Sequence, residues 1–334
     1  MNTYIDTLRK IGSLSESEAY DLQKNILENK LSLEMLVELF TLLDRPLTEN
    51  EFYGFYKASR EAMVPVAAPH GLLDTAGTGS DGLHTINISS IAAILLAALG
   101  VPVAKHGNRA ASSKCGSADV LEELGMNIDL DPEQVARSIS ATNFGFMFAP
   151  KFHPAFKHVA PARKAYGKRT YFNFLGPLLN PANADFRLVG VYDLGLVELM
   201  GSTLLKAGVR KAWVVRGRDG MDEISACAIT DVTEFASREA VRSFTIDPSV
   251  YGLSLAAPDN LRGGDKALNA NIAKKILGGE GTEAQNNAVI LNTAAGLLIV
   301  GKVATYADGI VLAQNGLQQK LGLQKLAGIT ALRV

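Results

Sequence analysis

Apolar residues in positions 1–66 recur every three to four places between polar stretches, with no alternation of period two. That spacing predicts short amphipathic helices rather than strands. Four spans carry it: 4–11, a helix running from 16 to 29, 32–43 and 50–63. Ser15 and Glu18 stand three apart at the start of the second span, the separation at which a hydroxyl and a carboxylate cap each other's backbone N–H groups. From Gly71 onward the pattern changes. Short apolar runs at 72–76, 101–104, 145–148, 188–192 and 212–215 alternate with helical stretches at 89–99, 118–124, 132–140 and 196–207. Such alternation predicts an α/β fold, a mostly parallel sheet with helices on both faces. More polar strands follow between 226 and 245, and three helices, 266–277, 283–300 and 306–323, close the chain. Residues 1–66 therefore read as a small helical domain and 67–334 as a large α/β domain.

Length agrees with this division, since 334 residues exceed the usual size of one domain and leave ample core. The longest apolar run, 91–103, is too short for a membrane span and is interrupted by Gly100 and Pro102; it predicts a buried helix entering a strand. A net charge of −1 without runs of like charge argues against nucleic acid or a membrane surface as partner. Small-molecule chemistry is the better expectation. Cys115 and Cys227 offer neither a disulfide framework nor a Cys-rich metal site, and the opening MNTYIDTLRK has no apolar signal region. A cytoplasmic location is expected.

Ligands of open parallel sheets bind beyond the C-terminal ends of the strands, so the residues after each strand carry the chemistry. The first such loop, Gly77-Thr78-Gly79-Ser80-Asp81-Gly82, can expose several backbone N–H groups to an anion. Ser89 is expected to cap the helix that follows, aiming the positive end of its dipole at the same loop. A second loop, Lys105-His106-Gly107-Asn108-Arg109 with Ser112, Ser113 and Ser117, places two cations and several hydroxyls where they can meet phosphate oxygens. In the third, Gly217-Arg218-Asp219-Gly220-Met221-Asp222-Glu223, adjacent carboxylates can hold Mg²⁺ that a pyrophosphate also ligates. A fourth stretch, from Phe146-Met147-Phe148 through Pro150 and His153 to Arg163, combines apolar walls with a cation suited to a flat aromatic carboxylate. Each has a plainer reading: a surface turn, a solvated loop with a structural His106, an exposed Asp-Glu pair, and ordinary core strand residues. No Cys/His cluster suggests zinc and no GxSxG element a serine hydrolase.

Taken together, GTGSD, NISS, KHGNR with SS and GSADVLEELG, then FMFAPKFHPAFKHVAPARKAYGKRTYFNFLGPLLNPA, DGMDEIS and LRGGDKALNANIAKKILGGEG stand in one collinear order. Almost end to end, this resembles the anthranilate phosphoribosyltransferase family, which joins anthranilate to phosphoribosyl pyrophosphate in tryptophan biosynthesis. The resemblance implies a fold of the nucleoside phosphorylase/phosphoribosyltransferase type, Mg²⁺ as cofactor, and a homodimer formed through the helical domains. It also implies that the segment 164–181 joins the small domain. Gly77, Thr78, Gly79 and Asp81 would meet the pyrophosphate, while Asn87, Ser89, Lys105 and Ser117 would hold phosphate or ribose groups. Ser80, Thr85, Ser90, Gly107 and Ser112 are further substrate-binding positions by the same mapping. Ser89, Asp222 and Glu223 would ligate Mg²⁺. His106, Asn108, Pro150, His153 and Arg163 would line the anthranilate path, with Lys105, Asn108 and Arg163 as the catalytic residues.

Four positions depart from the family pattern. Ser80 replaces the second paired glycine of GTGGD, Ser90 and Leu179 each replace a usual Thr, and Arg216 stands where a His generally precedes Gly217. Ser80 limits backbone freedom if that position needs positive φ, whereas Arg216 adds a cation, so both bear on donor affinity. Two alternatives remain beside the main reading. One keeps fold and donor but takes another aromatic amine or a nucleobase, against which the match at Asn108 and Arg163 argues. The other is a non-catalytic binding homologue, against which the near-neutral charge and the presence of Lys105, Asn108, Asp222 and Glu223 argue.

Overall fold

Polar caps set where the helices begin. In a computed structural model of the chain, which describes residues 2–79, 82–110, 114–237 and 239–333, the first segment folds as α1 (Asn2–Ile11), α2 (Glu16–Leu27), α3 (Leu33–Leu42) and α4 (Glu49–Glu61). Ser15 with Glu18 and Thr48 with Glu51 form reciprocal capping boxes, each satisfying N–H groups that the helix cannot. Glu51 reaches further. It is fully buried, accepts from Leu14 N at 3.0 Å and pairs with Arg45, tying the start of α4 to the loop after α1. Burial pushes its carboxyl up, but Arg45 and the backbone donors outweigh this and hold it below the usual value.

The rest alternates as expected. β1 (Leu73–Gly77), α5 (Ile88–Ala98), β2 (Val103–Gly107), α6 (Ser117–Glu123), α7 (Pro132–Thr142) and β3 (Phe144–Phe148) come first. Short helices α8 (Ala149–Phe152), α9 (Ala160–Tyr166) and α10 (Phe172–Leu175) lead to β4 (Phe186–Gly190), α11 (Val197–Lys206), β5 (Lys211–Gly217), β6 (Thr230–Ala236) and β7 (Arg242–Ile246). Helices α12 (Lys266–Leu277), α13 (Glu283–Ile299), α14 (Tyr306–Gln318) and α15 (Leu321–Ala331) finish the chain. Among the described residues the strands form one seven-stranded sheet in the order β3-β2-β1-β4-β5-β6-β7, parallel through β5 and antiparallel beyond it.

The two faces of this sheet carry separate cores. On one, α5 is buried along Ile91–Ala97 against α13 and α15. Its alanines let α13 approach so closely that a Cβ on Gly296 would press on Leu96 and Leu73. Each fully buried Leu or Ile there contributes roughly 1.5–3 kcal/mol by removal from water. On the other face, α2, α3 and α4 share a cluster with Val159, Ala162, Tyr171, Phe172 and Leu175 and with Val189, Val214 and Phe235 of the sheet. None of the helices among the described residues is long and apolar enough to cross a membrane.

Three expectations need correction. β2 begins and ends later than the hydrophobic run, because Val103 to Gly107 pair in parallel with Phe144 to Phe148 along the whole ladder; Lys105 and His106 are therefore strand residues, not loop residues. α5 is capped at Asn87 rather than Ser89, and Asn87 makes no side-chain cap bond. The span 306–323 is two helices, broken where Lys320 turns left-handed at φ 56°, so among the described residues four helices close the chain.

Candidate active site

Alternation along β2 divides the polar groups between the two faces, since successive side chains of a strand point to opposite sides. Lys105 turns toward α5 and is buried, donating to the Thr75 carbonyl at 2.7 Å and lying 3.4 Å from Ser89 Oγ. Burial lowers its pKa, opposed by the charges of Asp74 and Glu223. His106, one residue on, faces His153 on the other side, with their Nε2 atoms 3.2 Å apart.

On the α5 side, two carboxylates arrive from a distant loop. Glu223 Oε1 accepts from Ser89 N at 3.1 Å and Asp222 Oδ2 from Gly79 N at 2.5 Å. The first of these supplies what the Asn87 cap does not: a negative charge at the N-terminus of α5, where the helix dipole favours it. The approach depends on glycines. A Cβ on Gly77 would collide with the Asp222 carboxylate, and one on Gly190 with the Asp222 carbonyl. Asp219 shapes the turn before them, accepting from Met221 N at 3.2 Å and from Ser225 Oγ at 2.6 Å. Thr78 fastens the glycine loop from beneath: its N–H reaches the Gly190 carbonyl at 3.0 Å and its Oγ1 accepts from Tyr192 N at 3.2 Å. Arg216, half-buried, donates from Nε to the Tyr192 carbonyl at 3.1 Å.

Around α6, Gly107 leaves room that a Cβ would take from Ser117 Oγ, and Ser117 donates to the carbonyl of the exposed Asn108. Arg109 differs from the expectation that it meets phosphate oxygens alongside Lys105. Its guanidinium binds Asp119 at 2.9 Å and Glu122 at 2.8 Å and 3.0 Å, so its charge is matched within the loop and α6. Thr85 forms an isolated bridge to Arg262, and Ser90 is buried inside α5. Ser80, Asp81, Ser112 and Ser113 lie outside the described residues.

The other face is aromatic, with two histidines and a guanidinium. His153 Nε2 is 3.1 Å from the Leu179 carbonyl, and its ring lies tilted beside Phe156, which meets Phe172 edge-on at 5.2 Å. Arg163, half-buried, lies over the Phe172 ring at 5.8 Å and donates to Asn173 Oδ1 at 3.2 Å, while Pro150 is exposed. Burial holds His153 down at about 4. It keeps His106 well below the usual value too, helped by the nearby His153, Arg187 and Lys105. Both rings are therefore neutral near pH 7.

Residues 70–320 match the family model described as "Glycosyl transferase family, a/b domain". Over 96% of this chain and 95% of the relative, the sequence is 45% identical to an anthranilate phosphoribosyltransferase of Rubrobacter xylanophilus. The chain belongs to the anthranilate phosphoribosyltransferase family. It is thus a transferase of the glycosyl-transfer class. The crystal structure of anthranilate phosphoribosyltransferase from Thermus thermophilus superimposes with a TM-score of 0.90 at 38% identity, covering 96% of this chain and 95% of that one. The Saccharomyces cerevisiae enzyme in complex with phosphoribosyl pyrophosphate and Mg has a TM-score of 0.86 at 26% identity, covering 96% and 94%.

Several residues that shape the site in this anthranilate phosphoribosyltransferase family member escaped the sequence reading as individuals. Asn269 of α12 donates to Asn87 Oδ1 at 2.9 Å and accepts from Gly264 N at 2.8 Å, which orients Asn87 toward the Cys115 carbonyl. Asp74 and Arg187 form a buried ion pair under the histidines. Phe156 and Phe172 stand between the aromatic cluster of the helices and His153. Asn269 sits inside the quoted LNANIAKK stretch, where an amide among apolar helical positions was the available signal.

Proposed function

We propose that the chain transfers the phosphoribosyl group of phosphoribosyl pyrophosphate to the amine of anthranilate, releasing pyrophosphate. The observation that carries this reading is the division of groups at one sheet edge: Lys105, Ser89, Asp222 and Glu223 beside the glycine loop on one face, and His106, His153 and Arg163 beside aromatic rings on the other. The first set suits a polyanionic donor and the second a flat aromatic carboxylate. Ser89, Asp222 and Glu223 offer hard oxygen donors of the kind Mg²⁺ takes, and the clearance at Gly77 and Gly190 lets the carboxylates reach the glycine loop. When bound there, the ion would offset charge on the pyrophosphate.

In the reaction the bond from the ribose anomeric carbon to the pyrophosphate oxygen breaks and a carbon–nitrogen bond forms. The pyrophosphate leaves with the electron pair, and the amine loses its proton after attack on the oxocarbenium-like centre. Lys105 faces the charge that develops on the leaving group. The N–H groups of Thr78 and Gly79 are taken by the Gly190 carbonyl and Asp222, so they brace the loop instead of meeting the pyrophosphate directly. Asn108 and Arg163 position the acceptor, with Arg163 reading its carboxylate. A strong general base is unnecessary, because an aromatic amine is already neutral near pH 7.

The same reading takes residues 1–66 with 164–181 as a small helical domain beside a large α/β domain, and a homodimer through the helical part. Ile11 and Leu33, exposed at 73% and 44%, support that contact. A cytoplasmic setting fits Cys115 and Cys227 as thiols not joined in a disulfide. The test is loss of anthranilate fluorescence with phosphoribosyl pyrophosphate and Mg²⁺. A steady decrease that requires all components is expected; no decrease at enzyme excess, with folding verified, would sink the proposal.

A further inference from the structure

Beneath the two histidines lies an ion pair that no motif announces. Asp74 and Arg187 are register partners on β1 and β4, their side chains 1% and 2% exposed, with Nη1 donating to Oδ2 at 2.9 Å. The second Arg187 nitrogen, Nη2, donates to the Leu178 carbonyl at 2.7 Å and the Pro177 carbonyl at 3.1 Å. The other oxygen of Asp74 accepts from His106 N at 3.2 Å. One residue beyond Leu178, the Leu179 carbonyl faces His153 Nε2. A carbonyl only accepts, so Nε2 of His153 carries the ring hydrogen and its buried Nδ1, which has no partner among the described residues, is bare. His106 Nε2 then faces a donor, which places the His106 hydrogen on Nδ1.

Burial alone is weak evidence that this pair serves stability, because buried ion pairs are commonly matched or exceeded by apolar side chains of similar volume. We propose that Arg187, oriented by Asp74, is a positioning residue for the acceptor half of the site: by clamping the 177–178 carbonyls it sets the backbone whose next carbonyl fixes the tautomer of His153 and, through it, of His106. The consequence for catalysis rests on the functional reading above, whereas the consequence for the histidine rings does not.

Two full-length variants test it. Arg187→Met with Asp74→Leu removes both charges and avoids stranding either one, and Arg187→Lys keeps the charge but loses the fork. Ring-nitrogen NMR of histidine-labelled protein reads the tautomers, and steady-state kinetics reads the two substrates separately. In the double variant we expect His153 to lose its single Nε2–H tautomer. The KM for anthranilate should rise about ten-fold or more while that for phosphoribosyl pyrophosphate moves less than about two-fold. Arg187→Lys should recover part of the acceptor KM. If the double variant fails to fold, Arg187→Lys alone should still raise the acceptor KM selectively. An unchanged His153 tautomer in folded protein, or equal rises in both KM values, would overturn the proposal. Altered tautomers in a protein that never consumes anthranilate would uphold the positioning and refute the reaction.

Discussion

The two faces of the sheet meet at the same edge but hold their polar groups in opposite ways. On the α5 face Lys105, Asp222 and Glu223 bring charge of both signs, and the carboxylates are held by backbone N–H groups of Gly79 and Ser89 from segments more than a hundred residues away. On the helical face the charges of Asp74 and Arg187 are paired out of sight, two neutral histidines meet each other, and the aromatic rings have His153 and the Arg163 guanidinium beside them. Lys105 and His106 are neighbours in the chain, yet the strand pleat sends one into each setting. Register is therefore the device that separates the two sets of groups. A slip of one residue in the β2–β3 ladder would turn Lys105 to the helical face and His106 to the α5 face.

The comparison breaks most completely if the carboxylates are neutralised. Asp222→Asn with Glu223→Gln should lower Mg²⁺-dependent turnover by on the order of a thousand-fold while the thermal midpoint stays close to wild type; unchanged turnover would remove the assigned metal role. Next in size is Lys105→Met, expected to cost about a hundred-fold in kcat. Because it deletes a buried ammonium, stability should hold or rise, and a large loss of stability without loss of activity would make Lys105 a structural residue.

The histidine face is sharpened by acid. His153 in the fold holds its proton only below about 4, whereas the free side chain titrates near 6.5. Between these values the unfolded chain binds a proton that the folded chain does not, so stability is complete above about pH 6.5 and falls as pH drops toward 4. The loss from this ring is about 3 kcal/mol. Denaturant melts across that window should show the fall in wild type and a shallower one in His153→Gln; equal slopes would mean the ring is not buried neutral. Smallest is Arg216→His, which exchanges one donor to the Tyr192 carbonyl for another and should change the donor KM by about two-fold or less.

Much of the fold was legible because local rules sufficed. Ser15 with Glu18 marked a helix start, and the strand–helix alternation gave a mostly parallel sheet. The proximity of Asp222, Glu223, Ser89 and the glycine loop was legible too, through residue types placed after strands. What escaped was partnership over distance. Nothing local in Asp74 announces Arg187, nor in Asn87 the buried amide of Asn269. Arg109 looked like a phosphate ligand until Asp119 and Glu122 were seen to hold it. The end of β2 was missed because charged and polar residues there continue the ladder with β3, where a hydrophobic pattern has no signal.

The proposed division of substrates between faces is tested most directly by the equilibrium affinity for phosphoribosyl pyrophosphate with Mg²⁺, measured calorimetrically on wild type, Lys105→Met and His153→Gln above pH 7. Weakening of about ten-fold or more in Lys105→Met, with His153→Gln within about two-fold of wild type, is the predicted result. Equal weakening in both variants would contradict it.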